Sequence, residues 1–457
     1  MKFLKWLGFD PEKHSVRTEI FAGLTTFLTM AYILAVNPNV FDVLGGEMSK
    51  ANGAVFTATA LAAIIGTLAM AFIAKKPFAL APGMGLNTFF VYTVCIAMGH
   101  SWQFALTAVF LEGIVFVILT LTNVRKWIVD ALPLSLKYAV GAGIGLILAF
   151  LGFQNAGIVG QGPTLVTLAV KLPDGSFNGS ALLGLLGLVV TGALVMKGVR
   201  GGILWGILAT TALGLIPMYN VVGADGSVSR AALTSLNGIV SVPPSIKNIA
   251  FQFTWSELAS AKGILDMIVV LFTFIFLDIF DTMGTVIGVS EKAGYVDKEG
   301  NIDGINECFM ADSIGTICGA ALGTSTTTTY VESAAGVADG GRTGLTAFST
   351  AIFFAIALLF APLFLAIPAA ATAPALIVVG MMMMTPVLKI NWEDPVEALP
   401  AFITMVVMPF CFSISDGILI GLISYVILNA LCGKFQRITP TMWVLAILFV
   451  LRYIFIQ

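Results

Sequence analysis

Phe78-Ala-Leu-Ala-Pro-Gly-Met-Gly-Leu-Asn-Thr-Phe-Phe90 and Gly323-Thr-Ser-Thr-Thr-Thr-Thr-Tyr-Val-Glu-Ser-Ala-Ala-Gly336 occupy matching places in the two halves of the chain. Each puts helix-breaking or hydroxyl residues, then one amide or carboxylate, where a plain membrane span carries apolar side chains. In a bilayer, non-helical backbone survives only where it is buried in protein or lines a cavity. A pair of such interruptions points to the binding site of a secondary transporter.

The surrounding composition agrees. Of 457 residues, 58% are hydrophobic and 11% charged, with mean hydropathy +0.98. A soluble domain carries roughly 25% charged residues, so the chain is expected to cross the lipid bilayer many times. The net charge of −2 is uninformative about partners, and no basic run suggests nucleic acid, so none is expected as a partner. The five cysteines lie in or beside apolar segments without ligand spacing, which predicts free, buried thiols. The basic stretch Met1 to Arg17 leads into a full-length apolar run with no small-residue cleavage site, so no cleaved signal peptide is expected.

Apolar stretches of about 20 residues fall at 18–38, 53–73, 78–98, 103–122, 135–153, 179–196 and 201–218 in the first half. The second half repeats the pattern at 263–288, 305–322, 326–338, 344–366, 370–388, 396–412 and 416–433. A last stretch, 441–457, reads as an interfacial or packed terminal helix, with a fifteenth span as the alternative. Fourteen spans place Lys2, Lys5, Lys13, Arg17, Lys75, Lys76, Arg125, Lys126, Lys197 and Arg200 on one face. The same face collects Lys292, Lys298, Arg342, Lys389, Lys434 and Arg437. That face is the cytoplasm, with both termini on it. Longer polar connections at 154–178 and 219–261 lie opposite. Seven spans followed by seven invert the second half. Gly66-Thr-Leu echoes Gly315-Thr-Ile, and Met196 to Gly206 echoes Ser413 to Gly421.

Ionisable groups inside spans are costly and functional by default. Candidates are Glu112, Asp278, Asp281, Asp312, Glu332, Lys137 and Asp416. Asp278, Asp281, Thr282 and Thr285 fall at i, i+3, i+4 and i+7, one helical face that must look into protein or water. Glu332 follows the threonine run near the start of a half-helix, where free backbone N–H groups can meet a ligand carbonyl. Pro82-Gly-Met-Gly85 breaks the other segment, and Asn87 offers both a donor and an acceptor. Opposed half-helices would bring Asn87 near Glu332. A pocket of carboxylates, amides and hydroxyls without a cationic cluster suits a flat, neutral, hydrogen-bonding heterocycle. A desolvated carboxyl can take a proton near neutral pH, so proton coupling needs no cofactor. His14 and His100 are expected to be solvated at membrane edges, and Glu112 and Asp312 to pair with hydroxyls across helices. No phosphate-binding loop, metal motif or nucleophile constellation is present, which argues against an enzyme or ATP-driven pump.

Ala22-Gly-Leu-Thr-Thr-Phe-Leu-Thr-Met-Ala-Tyr-Ile-Leu34, Pro82-Gly-Met-Gly-Leu-Asn87, Phe280-Asp-Thr-Met-Gly-Thr285 and Tyr330-Val-Glu-Ser-Ala-Ala-Gly336 resemble the azaguanine-type purine permeases. These form the guanine, hypoxanthine and adenine branch related to the uracil and xanthine permeases. The resemblance spans essentially the whole chain. It implies an all-α membrane fold of fourteen segments in two inverted repeats of seven, with short β-strands in segments 3 and 10. It further implies a core domain from residues 1–130 and 262–367, and a gate domain from 131–261 and 368–457 that supports a homodimer.

By the same resemblance, Asp278 and Glu332 would hydrogen-bond a purine nucleobase, assisted by Asn87. Backbone groups near Leu86, Val331 and Ser333 would contribute, and Thr29 would line the pocket. Asp281 would serve proton coupling, with Asp278 and Glu332 also able to carry the proton. The implied activity is proton-coupled import of guanine, hypoxanthine or adenine across the plasma or inner membrane, by elevator-like movement, driven by the proton gradient alone. Asp278 is a shorter acid than the usual Glu of the uracil and xanthine branch, which makes room for a purine. The alternative is an anion transporter of the same fold, of the sulfate and bicarbonate type.

Overall fold

The computed structural model describes residues 2–46, 48, 51–122, 133–162, 165–172, 175–199, 201–217, 219–222, 228–236, 238–295, 304–411 and 414–455. Arg125, Lys126, Arg200, Lys298, Ser413 and the expected domain boundary at 130 lie outside them. The chain is mostly helical, as a bilayer demands of backbone that cannot hydrogen-bond to lipid. Among the described residues, seven helices are long and apolar enough to cross a membrane, and four shorter apolar helices accompany them.

The first long helical stretch, Val16–Asp42, is not continuous. It divides into Val16–Met30 and Ile33–Asp42. At the join, Leu34 N–H reaches Ala31 O at 3.1 Å and Ala35 N–H reaches Tyr32 O at 3.0 Å. This tightened i→i+3 step is the kind that marks hinges within helices. The next helix, Asn52–Ala69, runs on as a π-helical turn, Met70–Ala74, and stops where Lys75 takes a left-handed φ of 56°.

Both interrupted segments contain extended backbone. Strand β1, Leu80–Pro82, belongs to the first. The polar connection after the helix Leu134–Asn155 is a hairpin of β2, Val159–Gly162, and β3, Leu165–Leu168. A second hairpin, β4 at Tyr219–Val222 and β5 at Val228–Ala231, follows the helix Gly202–Gly214. Strand β6, Thr327–Thr329, lies in the second interrupted segment and pairs antiparallel with β1, Leu80 opposite Thr329 and Pro82 opposite Thr327. From this crossing the half-helices Met84–Thr88 and Ser333–Ala338 leave in opposite directions.

Small residues let the layers beneath the strands close. Helices Asn52–Ala69 and Ile305–Leu322 meet at Gly66 and Gly315, directly under Leu80 and Thr327. Small-residue contacts of this kind drive helix association where lipid removes the hydrophobic incentive. Val16–Met30 packs along Ser333–Ala338 and Gly344–Ala357, with Gly336 against Ala22 and Thr26. A second group of helices joins Leu134–Asn155 to Ala369–Met383 and Pro395–Cys411. The cysteines are free, as their spacing suggests, but only Cys308 is buried; Cys411 and Cys432 are exposed.

Asp394 ties the start of Pro395–Cys411 to the loop after Ile414–Leu431. It accepts from Lys434 Nζ at 3.1 Å and from Arg437 Nη1 at 2.6 Å, while Glu397 accepts from Arg437 at 3.3 Å. The Arg437 and Lys434 donors hold the Asp394 carboxyl below the usual carboxylate range. A depressed folded-state value contributes stability above the unfolded value, about 3.9 for Asp, and loses it as pH falls through the folded one. Asp394→Asn is therefore expected to lower the Tm of detergent-solubilised protein at neutral pH. The gap from wild type should close on acidification through the carboxylate range and shrink in high salt, because the cluster is partly open to solvent.

Candidate functional site

The β1–β6 crossing fixes the geometry. Gly83 N–H extends the ladder to Thr326 O at 3.0 Å, and Tyr330 N–H does so at the other end to Ala79 O at 2.9 Å. Side chains close each end. Tyr330 Oη donates to Pro82 O at 2.6 Å, and Ser333 Oγ accepts from Ala79 N–H at 3.0 Å. Thr67 Oγ1 bridges Leu80 N–H and O, so Asn52–Ala69 holds β1 by its own hydroxyl.

On one side of the crossing lies a partly open face. Val331 is 57% exposed, and Glu332 and Asp281 are half-buried. Glu332 Oε1 accepts from Tyr32 Oη at 2.8 Å, and its main-chain oxygen is 3.4 Å from Thr29 Oγ1. Asp281 shares these surroundings with Glu332, Tyr32 and Tyr330. Its Oδ2 lies 3.7 Å from where a Cβ on Gly83 would sit, and that Cβ would be 2.7 Å from Thr328 Cγ2. Only glycine leaves this approach to the crossing open. Gly85, two residues on, packs against Ile144 of Leu134–Asn155. The structure therefore brings Thr29, Asp281, Val331 and Glu332 together.

Behind the crossing is a sealed polar interior. Asp278, Asp312 and Glu112 are each 0% exposed, and Asp278 lies against the other two. Asp312 accepts from Thr282 Oγ1 at 2.7 Å and from Thr329 Oγ1 at 3.1 Å. Glu112 accepts from Thr326 Oγ1 at 2.6 Å, and Thr282 and Thr328 share a hydrogen bond of 2.7 Å. The threonine run is thus tied to carboxyl groups of two helices, Trp102–Thr122 and Ile305–Leu322, and to the Thr282 hydroxyl of a third, Ala261–Ala293. Among the described residues, Asp278 Oδ2 and Glu112 Oε1 have no hydrogen-bond partner. Of the predicted polar stripe, Asp278 and Thr282 face this interior and Asp281 the open side, while Thr285 is buried. Hydroxyl pairing of Glu112 and Asp312, expected from sequence, is what the structure has.

Asn87 sits elsewhere. It is fully buried, and its Oδ1 accepts from Ser325 Oγ, at the end of the ladder remote from Glu332. Opposed half-helices therefore do not join Asn87 to Glu332; the antiparallel crossing sends them apart. Leu86 is buried beside Gly83. The N–H groups expected to be free after Glu332 are taken: Ser333, Ala334 and Ala335 donate to the carbonyls of Tyr330, Val331 and Glu332. His100 is not solvated either. Its ring lies between Glu257 Oε2 at 2.9 Å and Asp266 Oδ2 at 3.1 Å, stacked on Phe104.

Sequence reasoning missed Tyr32, Tyr330 and Glu19. Glu19 is buried and accepts from Arg342 N–H, Thr343 N–H and Thr346 Oγ1, anchoring the chain that follows the second interrupted segment. An acid one residue inside the first apolar stretch was the available signal. Among the described residues, no group of His, Cys, Asp and Glu is placed to hold a metal ion.

Apolar helices around two crossed, interrupted segments with carboxyl groups inside are the architecture of a multi-pass membrane transport protein. The permease family model Xan_ur_permease matches residues 17–420, and the chain belongs to that family. It is 42% identical over 455 residues to the guanine/hypoxanthine permease PbuG of Bacillus subtilis, covering 98% of this chain and 99% of that one. It is 39% identical over 444 residues to the adenine permease AdeP of Escherichia coli, covering 97% and 94%. The transmembrane domain of the cyanobacterial bicarbonate transporter BicA has a similar fold, with TM-score 0.61 at 16% identity over 89% of this chain and 97% of that one.

Proposed function

We propose that this permease imports purine nucleobases (guanine, hypoxanthine or adenine) together with protons across the cell membrane, with both termini in the cytoplasm. The observation that carries the reading is the pair Glu332 and Asp281, half-buried beside the β1–β6 crossing with no cation against them among the described residues. Carboxyl oxygens there match the N–H edge of a flat heterocycle, and the relatives' names for guanine, hypoxanthine and adenine supply the substrate class. The bicarbonate-type alternative would call for cationic or free N–H groups at this face. Instead it carries two acids, and the helix-start N–H groups beside Glu332 are used internally.

In this reading the fourteen segments form two inverted repeats of seven. The core, 1–130 and 262–367, moves like an elevator against the gate, 131–261 and 368–457, and the gate pairs two subunits. The Gly85–Ile144 contact lies on the sliding boundary. Of the candidate substrate-binding residues, Glu332, Val331 and Thr29 line the open face. Asn87, Leu86 and Ser333 hold the crossing in shape. Exposure favours Asp281 for direct contact with the ligand and sealed Asp278, backed by Asp312 and Glu112, for the coupling proton. The proton gradient is the driving force and no cofactor takes part.

Proteoliposomes test the coupling. An inward proton gradient is expected to drive accumulation of labelled guanine or hypoxanthine above the outside concentration, and a protonophore to reduce it to equilibration. Accumulation unchanged by the protonophore would remove proton coupling from the account.

A further inference from the structure

We infer that Tyr32 is a positioning residue that pins one oxygen of Glu332 and thereby reserves the other for the ligand; the inference rests on the nucleobase reading above. Three observations lead to it. Tyr32 Oη donates to Glu332 Oε1 at 2.8 Å, and among the described residues no other side chain hydrogen-bonds that carboxyl. Tyr32 is 1% exposed, so its hydroxyl has no water to turn to and must find a protein acceptor. It also occupies the tightened step between Val16–Met30 and Ile33–Asp42, which aims its side chain at the second interrupted segment rather than along the helix.

The chemistry follows from which oxygen is taken. A tyrosine hydroxyl can donate both to an ionised carboxylate, the stronger bond, and to the carbonyl oxygen of a protonated acid. In either state Oε1 is the acceptor. Oε2 then accepts an N–H from the heterocycle when Glu332 is ionised, or donates its proton to a ring nitrogen when it is not. Without Tyr32 the carboxyl loses its side-chain tie, and the ligand must bear more of the cost of ordering it. Asp281 and Tyr330 face the same hydroxyl, and neither is in hydrogen-bond contact with it.

The test uses Tyr32→Phe, which keeps the ring and removes only the hydroxyl. For nucleobase uptake in proteoliposomes, KM is expected to rise on the order of ten-fold, the scale of one hydrogen bond to a charged group, with turnover within about two-fold of wild type. In a Glu332→Asp background, whose shorter side chain falls out of reach of Tyr32, the same change should add nothing. Unchanged KM in Tyr32→Phe, or an equal rise in both backgrounds, would overturn the inference.

A ligand-independent measurement separates this from the substrate assignment. The infrared carboxyl or carboxylate bands of Glu332, identified by subtraction of Glu332→Gln, should shift in Tyr32→Phe. If the wild-type protein bound no nucleobase, the functional reading would fall and the infrared shift would still decide the role of Tyr32. Bands that stay in place would overturn it whatever the substrate.

Discussion

Glu332→Gln is expected to reduce nucleobase uptake at least ~100-fold while the protein still reaches the membrane. Glutamine keeps the size of Glu332 and can still accept from Tyr32 at its amide oxygen. What it puts in place of the free oxygen is an NH₂ group, a donor facing the ligand's own donors. Losing a hydrogen bond to a charged group and leaving a donor unmatched costs about 2.8 kcal/mol, or two decades in kcat/KM. Asp278→Asn should behave differently. Asp278 is sealed behind the strands, so affinity for the nucleobase should stay within about three-fold while accumulation against a gradient is lost. Binding by purified protein and uptake by vesicles, measured on the same preparations, separate the two. Wild-type uptake by Glu332→Gln would remove the site; lost binding in Asp278→Asn would show that Asp278 reaches the ligand.

The second large effect is structural. Gly315→Leu should prevent the core from closing. A Cβ at Gly315 would lie 3.3 Å from Gly66 Cα, 3.2 Å from Thr327 Cγ2 and 3.4 Å from Leu80 Cδ2. A whole leucine there has to push Asn52–Ala69 away from Ile305–Leu322 and lift β1 and β6 with it. Overpacking of this kind costs roughly 1–3 kcal/mol or more. The expected result is poor recovery of monodisperse protein from detergent and a thermal-shift Tm lower by at least ~5 °C. Gly315→Ala needs neighbours to yield only a few tenths of an ångström and should be far milder. Gly192→Leu serves as control, because a Cβ at Gly192 meets nothing within 4 Å. Equal damage from both leucine variants would show that helix propensity or insertion, rather than the Gly66–Gly315 contact, sets the outcome.

Local chemistry decided how much of this could be read from the chain. The two interruptions were legible because Pro82-Gly83 and the threonine run cannot continue a helix without compensation. Helices in long apolar stretches were legible because lipid leaves the backbone no other choice. The step at Ala31–Tyr32 was not. Its residues are ordinary helix formers, and the nearest breaker, Pro38, lies six residues further on.

The strand pairs Val159–Gly162 with Leu165–Leu168 and Tyr219–Val222 with Val228–Ala231 were also missed, because they lie in the longer polar connections and depend on cross-strand register. Partnerships across the chain were beyond local reading altogether. His100 meets Glu257 and Asp266 about 160 residues away, and Tyr32 meets Glu332 at a separation of 300. The polar stripe on Ala261–Ala293 was visible as a stripe. Which of its acids would be sealed and which half-open depended on where β1 and β6 crossed it.

The central claim is that the face formed by Glu332 and Asp281 selects purine nucleobases. Competition of labelled hypoxanthine uptake by an unlabelled panel (guanine, adenine, xanthine, uracil, bicarbonate and sulfate) tests it most directly. The account predicts inhibition by one or more purines and none by the two anions, with uptake falling when a protonophore is added. Inhibition by bicarbonate or sulfate with no effect of any purine would contradict it.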